Sequence, residues 1–329
     1  MSSKPASLRV ALLGCGLVGQ KRLQLLPPGA VTVACDVQRA RAEALAATSP
    51  GCRATDQVDE AISASNVDVV MVATVNSSLA PLTMKAVQQG KHVLVEKPGA
   101  LSVKELDQIE TAAAKTGALV RVGYNHRYHP ACLKALEIFH SDALGPLMFV
   151  RGRYGQGGRL GYEKEWRADP QLAGGGELLD QGVHLIDLAG LFLGPFSQVD
   201  GHSPTYFWKM AVEDNAFVCL RTAAGNIAWL HASCTEWKNL FSFEIYGRHG
   251  KLHWEGLGGS YGVERLSWYK MLPQMGPPET IIYEFPRGDE SWRLEMDEFF
   301  EDVRLRRTPV PGVKEARAAL EVVEKVYGR

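Results

Sequence analysis

The chain has 329 residues, 46% hydrophobic and 22% charged, with 36 Lys plus Arg against 37 Asp plus Glu and a formal charge of −1. A nucleic-acid binder carries a basic surplus, a membrane protein runs of roughly 18 apolar residues, and a disulfide scaffold a denser cysteine framework; none is present. The length suits two domains, each with a core of its own.

The six cysteines (Cys15, Cys35, Cys52, Cys132, Cys219 and Cys234) form no C-x-x-C pair and match no zinc spacing. They read as reduced thiols of a cytoplasmic protein, and no metal is expected. His249 and His253 are spaced H-x₃-H, but Gly250 between them argues for a turn rather than a helical metal pair. The early apolar run Val10–Gly19 is followed by Gln20-Lys21-Arg22, where a signal peptide would need small residues, so it reads as a strand entering a glycine turn.

Through the first 124 residues, short β-rich runs alternate with helical segments. Leu8–Leu13, Val31–Cys35, Val67–Thr74, His92–Val95 and Ala118–Gly123 are continuous rather than alternating, which predicts parallel strands covered on both faces. Residues 79–89 read as a helix ended by Gly90. Ser102-Val-Lys-Glu105 is a capping box, and Gly117 is a C-terminal glycine, so a helix is predicted over 103–116. The expectation is a doubly wound α/β domain over residues 1–124.

Gly14-Cys-Gly16-Leu17-Val18-Gly19 ends the first run. The bare G-x-G-x-x-G pattern arises by chance about 0.3 times in a chain this long and this rich in glycine, so context decides. Here it follows a strand, opens a helix, and is followed at the end of the second strand by Asp36. Gly14 allows the tight turn, Gly16 lets backbone approach a pyrophosphate, and Gly19 lets helix pack on strand. Asp36 accepts from both ribose hydroxyls and repels a 2′-phosphate, favouring NAD over NADP, although Arg39 and Arg41 nearby are able to grip a phosphate.

His92–Val95 runs into Glu96-Lys97-Pro98, placing Lys97 on a stiff turn beyond the carboxyl end of a strand, where ligands of such sheets bind. Taken alone, Lys97 reads more readily as a solvated loop lysine.

Residues 125–329 change pattern. After a helix near Pro130–His140, strands are predicted at Leu147–Tyr154, Tyr206–Met210, Asn215–Arg221, Asn226–Ser233, Phe241–Tyr246, Lys251–Trp254, Val263–Tyr269 and Thr280–Phe285, with helices near 291–306 and 313–327. This is an open, predominantly antiparallel sheet. Trp208, Trp229, Trp254 and Trp268 on it call for a cover, from its own helices or a second subunit. A helical segment from Leu178 to Leu193 follows Ala173-Gly-Gly-Gly-Glu177. Its polar residues Asp180, His184 and Asp187 fall at i, i+4 and i+7 amid apolar neighbours. The stripe reads either as a solvated face or as a cleft wall in which a carboxylate one turn away orients an imidazole base.

Together Gly14–Gly19, Glu96-Lys97-Pro98, Gly123-Tyr-Asn-His-Arg-Tyr-His-Pro130 and Gly174-Gly-Gly-Glu-Leu-Leu-Asp-Gln-Gly-Val-His184 resemble the Gfo/Idh/MocA oxidoreductases over essentially the whole chain. The resemblance implies a Rossmann domain followed by an α/β domain with an open sheet. Cofactor binding would fall to Gly14, Gly16, Leu17, Val18, Gly19, Asp36, Glu96 and Lys97. Lys97 is implied to hold the reacting oxygen, His184 to be the acid/base and Asp180 to contact substrate and support that histidine. Asn125, Arg127, Trp166 and Arg167 are implied to border the substrate, and the aromatics Tyr154, Tyr162 and Trp166 near the presumed cleft are suited to stack on a sugar face or a base. The implied reaction moves a hydride between NAD and a ring carbon of a sugar, cyclitol or nucleotide sugar, in a homodimer or homotetramer formed through the open sheet. Alternatives within the fold are a redox-neutral enzyme that recycles its NAD, or a non-catalytic sugar sensor.

Overall fold

The computed structural model describes residues 8–329, which divide into two compact units. In the first, strands and helices alternate: β1 (Val10–Leu13), α1 (Leu17–Leu25), β2 (Val31–Cys35), α2 (Arg39–Ala46), β3 (Arg53–Thr55), α3 (Val58–Ser63), β4 (Val69–Val72), α4 (Asn76–Gln88), β5 (His92–Glu96), α5 (Val103–Thr116) and β6 (Val120–Gly123). The six strands are parallel in the order β3-β2-β1-β4-β5-β6, a doubly wound sheet with a reversal between β1 and β4. β1 and β4 are buried along their whole length, as their continuous apolar runs require. The capping box is present: Ser102 accepts from the Glu105 N–H, Glu105 reaches back, and Gly117 closes α5 in the left-handed region at φ +71°. The short β3 escaped the sequence reading because three residues give too little pattern.

The second unit opens with α6 (Pro130–His140), β7 (Leu147–Gly155) and the short α7 (Pro170–Ala173). It continues through α8 (Val183–Leu193), β8 (Phe196–His202), β9 (Asn215–Thr222), β10 (Ile227–Ser233), β11 (Leu240–Gly247), β12 (Gly250–Glu255), β13 (Glu264–Lys270) and β14 (Glu279–Phe285). Its eight-stranded sheet has the order β14-β13-β12-β11-β7-β10-β9-β8; only the β7–β10 pair is parallel. Two strand assignments differ from expectation. Phe196–His202 is the edge strand β8, whereas Tyr206–Met210 is not a strand. There the N–H groups of Tyr206, Phe207 and Trp208 all donate to the Asp214 carboxylate, so they cannot enter a ladder. The four tryptophans also separate: Trp254 is 1% exposed in the core against Phe241, while Trp229 is 56% exposed on the outer face.

The chain then returns. From α9 (Ser291–Leu305), residues Trp292–Arg317 belong to the first unit; α10 (Val313–Tyr327) carries the chain from Ala318 onward back into the second. The division expected at 124 and 125 makes no provision for this return. Its cause is visible in α9, whose Met296, Phe299, Phe300 and Val303 join the core formed by Val10, Leu12, Val31, Val69 and Leu94. Each fully buried apolar side chain of this kind contributes about 1.5–3 kcal/mol. α9 also supplies charge. Arg22 of α1, 1% exposed, lies between Glu96 of β5 at 2.8 Å and Glu295 of α9 at 2.7 Å; Arg121 of β6 pairs with Asp302 at 2.6 Å. Among the described residues, no helix is long and apolar enough to cross a membrane.

Burial pushes the Glu295 carboxyl up to about 7 against the pull of Arg22, with the Glu96 charge adding to the rise. The folded state therefore holds a proton that the unfolded chain has released, and this group's contribution to stability falls as pH rises from the ordinary carboxylate range toward 7. Replacing Arg22 by Met strands two buried carboxylates and should cost about 3–5 kcal/mol in urea unfolding, while Glu295→Gln should cost far less. Equal losses in the two variants would show that shape rather than charge holds these elements together.

Candidate functional site

In the first unit the glycine turn is built as the fingerprint requires. Gly14 has φ +94°, and a Cβ there would stand 2.2 Å from the Ala73 carbonyl oxygen. A Cβ on Gly16, by contrast, would meet nothing within 4 Å, leaving an open cradle at the first turn of α1 where backbone N–H groups and the helix dipole face an anion. Leu17 is 86% exposed beside it and Val18 is half-buried. Asp36 closes the other side, its carboxylate accepting from the Cys15 N–H and the Gln38 N–H, both at 2.8 Å. The glycine turn is thereby fastened to the end of β2. Arg39, the alternative phosphate partner, is engaged by Glu43 at 2.9 Å. This arrangement fits a dinucleotide: a diphosphate cradle, and a carboxylate at the end of the neighbouring strand.

Glu96 and Lys97 part company. The Glu96 carboxylate accepts from Nε and Nη2 of Arg22 at 2.9 and 2.8 Å, so it ties α1 to β5 from inside the unit. Lys97 lies just beyond β5 and is half-buried.

In the second unit, His184 is 4% exposed near the start of α8. Its ring lies 4.0 Å from that of His126, 5.8 Å from Tyr124 and 6.1 Å from Tyr154. Sequence reasoning passed over His126, which sits unmarked between Asn125 and Arg127 in a short 3₁₀ segment whose facing no periodicity predicts. Of its flanking residues, Asn125 donates to Ser291 Oγ at 2.8 Å and keeps its Oδ1 3.4 Å from His126 Nδ1, while Arg127 forks onto both oxygens of Asp187 at 2.8 and 2.6 Å. The third member of the expected polar stripe is thus held in a buried ion pair. One turn on from His126, His129 faces the Glu264 carboxylate at 2.9 Å, which also accepts from the Ala131 N–H.

Residues Leu178–Gly182 form a π-helical turn rather than the first turn of a regular α-helix. The extra residue changes the i, i+4 relation between Asp180 and His184 that an unbroken α-helix would impose. Asp180 receives Nε of Arg167 at 3.2 Å, and the Arg167 guanidinium lies 4.5 Å from the centre of the Trp166 ring, so three of the expected residues come together. Burial, the largest single influence, lowers the Arg167 guanidinium, but the Asp180 charge and hydrogen bond together with Tyr162 and Glu165 outweigh it and leave it raised. The preceding glycine loop is pinned from behind. Glu213 accepts from the N–H groups of Gly176 and Leu178 at 2.9 and 3.1 Å, and a Cβ on Gly176 would stand 1.9 Å from the Glu213 carbonyl oxygen. Glu213 was also missed, since its role depends on contacts across the fold. Tyr154 packs on His126 at 5.1 Å, with burial raising its hydroxyl well above the usual range.

Two family models match. "Oxidoreductase family, NAD-binding Rossmann fold" covers residues 8–124, and "GFO/IDH/MocA C-terminal domain" covers residues 132–253. Among curated relatives, the scyllo-inositol 2-dehydrogenase (NAD(+)) of Bacillus subtilis (strain 168) is 26% identical, over 96% of this chain and 92% of that protein. The D-glucoside 3-dehydrogenase of Escherichia coli (strain K12) is 28% identical over 71% of each. A levoglucosan dehydrogenase solved with NADH and levoglucosan has the same fold, with a TM-score of 0.84 at 22% identity, covering 98% of this chain and 97% of that one. The chain carries both halves of this architecture, a NAD-binding Rossmann unit and the C-terminal domain that goes with it, and it belongs to the Gfo/Idh/MocA family of oxidoreductases.

Proposed function

We propose that the protein is a NAD-dependent dehydrogenase that oxidises a secondary ring hydroxyl of a sugar or cyclitol, or reduces the corresponding ketone. The observation that carries this reading is the buried His184–His126 pair beside Tyr154, in a chain with an intact dinucleotide cradle. Relatives named for inositol and for glucoside support the substrate class. NAD, when bound, supplies the hydride acceptor. The chain's own part is to move the hydroxyl proton and hold the oxygen. His184 accepts that proton as the C–H bond gives up its hydride, and the ammonium of Lys97 stabilises the oxygen as it passes from hydroxyl to carbonyl. Asp180, fixed by Arg167, presents a carboxylate oxygen to a neighbouring substrate hydroxyl. Asp36 selects NAD, and Leu17 and Val18 border its path. Two imidazoles 4.0 Å apart repel each other when both are protonated, so the pair resists a second proton and keeps one ring ready to act as base.

The six cysteines are all free thiols, which supports a reducing, cytoplasmic setting. The outer face of the large sheet supports assembly into a homodimer or homotetramer. Ile227, Phe149 and Tyr246 form one cross-strand row, and Trp229, Arg151 and Glu244 the next. Phe149 stacks on Tyr246 at 4.2 Å, and Trp229 is 56% exposed. An apolar, aromatic face of this kind is what a second copy covers.

Lys97→Met and His184→Ala should each lower turnover by about 10²–10⁴-fold while NAD binding, followed by fluorescence, persists. Full turnover in both variants, or sugar conversion without NADH formation in the parent, would reject a simple dehydrogenase. In His126→Gln the repelling neighbour is gone, His184 takes up a proton more readily, and the acid limb of kcat/KM for oxidation should move to higher pH; an unmoved limb would remove His126 from the mechanism. Trp229→Glu should yield a monomer by light scattering on a sizing column, whereas an unaltered oligomer would place the interface elsewhere.

A further inference from the structure

Two imidazoles in contact compete for the same first proton. The rings of His126 and His184 lie 4.0 Å apart, tilted by 31°. What distinguishes them is a run of side chains that leads away from His126 within the second unit. The Oδ1 of Asn125 lies 3.4 Å from His126 Nδ1, its Nδ2 donates to Ser291 Oγ at 2.8 Å, and Ser291 Oγ donates in turn to Asp289 Oδ1. Asn125, His126 and Ser291 are buried, whereas the Asp289 side chain is 27% exposed.

The polarity of this run is fixed from its outer end. A carboxylate that reaches solvent only accepts at neutral pH, so the single hydroxyl proton of Ser291 is committed to Asp289. The Ser291 oxygen can then only accept from Asn125. That turns the amide so that its NH2 faces Ser291 and its carbonyl oxygen faces His126. Opposite a carbonyl oxygen, Nδ1 of His126 carries hydrogen. A further proton at Nε2 makes a cation that the aligned dipoles and the Asp289 charge stabilise. The Ser291 N–H also donates to Asp289 Oδ1, at 3.0 Å, so the same carboxylate seats the start of α9.

The other charged groups about the two rings are met by counter-charges. Arg127 pairs with Asp187 of α8 and Arg167 with Asp180 of the π turn, while Glu264 of β13 faces His129, whose Nε2 stands 3.8 Å from Asp289. Such pairs present little net charge to either imidazole. The phenol that β7 contributes, Tyr154, is kept neutral by burial, and Tyr124 lies edge-on to His184.

We propose that Asp289 is a positioning residue for the imidazole pair: through Ser291 and Asn125 it makes His126 the ring that takes the first proton, and the charge placed there leaves His184 the base as the pH falls. This rests on the dehydrogenase reading above, with His184 as its base, and adds which of the two rings stays neutral and what decides it.

The test uses the full chain labelled with nitrogen-15 histidine, the His126 and His184 signals being assigned with His126→Gln and His184→Gln. In the parent, neutral His126 should show hydrogen on Nδ1, and between about pH 9 and about pH 5 it should take up its proton before His184 does. Asp289→Asn keeps an acceptor for the Ser291 N–H but removes the charge. In that variant the order of titration should reverse, and the acid limb of kcat/KM for oxidation of scyllo-inositol or methyl glucoside should rise by about one pH unit. Ser291→Ala should raise the limb in the same way, and Ser291→Thr, which keeps the hydroxyl, should leave it where the parent has it. In a His126→Gln background, Asp289→Asn should move the limb no further. His184 titrating first in the parent, hydrogen on Nε2 of neutral His126, or an unmoved limb in Asp289→Asn would overturn the proposal. If the order of titration and its reversal both hold while no sugar yields NADH, the role of Asp289 stands and the dehydrogenase reading falls.

Discussion

A guanidinium buried to 1% exposure cannot stay unpaired, and Arg22 sets the terms on which the nucleotide-binding unit folds. It extends from the helix that opens at the glycine turn, and its partners come from β5 and from α9. Satisfying one cation therefore fixes three relations together: the seat of the glycine turn, the end of the strand that leads to Lys97, and the docking of a helix from the far end of the chain. Trp292 lies 4.4 Å from the guanidinium and 4.1 Å from Lys21, adding an aromatic face on that side. The Gly-x-Gly loop is commonly described by its glycines alone; here its position also depends on an ion cluster that no glycine spacing reveals.

Much of this fold is legible in the sequence because its signals are local. Continuous apolar runs identify the parallel strands, and a capping box with a terminal glycine bounds α5 to the residue. The glycine turn and Asp36 declare themselves by spacing. The features that escape depend on tertiary partners. Tyr206–Met210 has a strand's composition, yet one carboxylate gathers three of its N–H groups. Glu96 stands in a cofactor-like motif, and nothing in that motif announces the ion pair its carboxylate makes with Arg22. Leu178–Leu193 has helical periodicity, but nothing in that periodicity marks a π turn at its start. His126 is invisible for a related reason: in a 3₁₀ segment of four residues, facing is decided by what packs around it.

In the second unit the imidazole of His184 is packed among rings. Tyr124, Tyr154 and His126 lie against His184 on several sides, while the neighbouring charges are engaged in pairs: Arg127 with Asp187 and Arg167 with Asp180. Charge neutralised in pairs around an aromatic lining keeps the local dielectric low without leaving an isolated ion. In such surroundings a single proton has large consequences.

The return of the chain into its first unit has a consequence for synthesis. A ribosome releases Arg22 and Arg121 long before Glu295 and Asp302, since more than half of the 329 residues separate each arginine from its late partner. Until then the two buried arginines lack part of their counter-charge, and the β-sheet that carries them has an open apolar flank where Phe299 and Val303 belong. The first unit thus stays incomplete while the whole of the second unit's sheet is synthesised, and its apolar flank closes only when α9 follows.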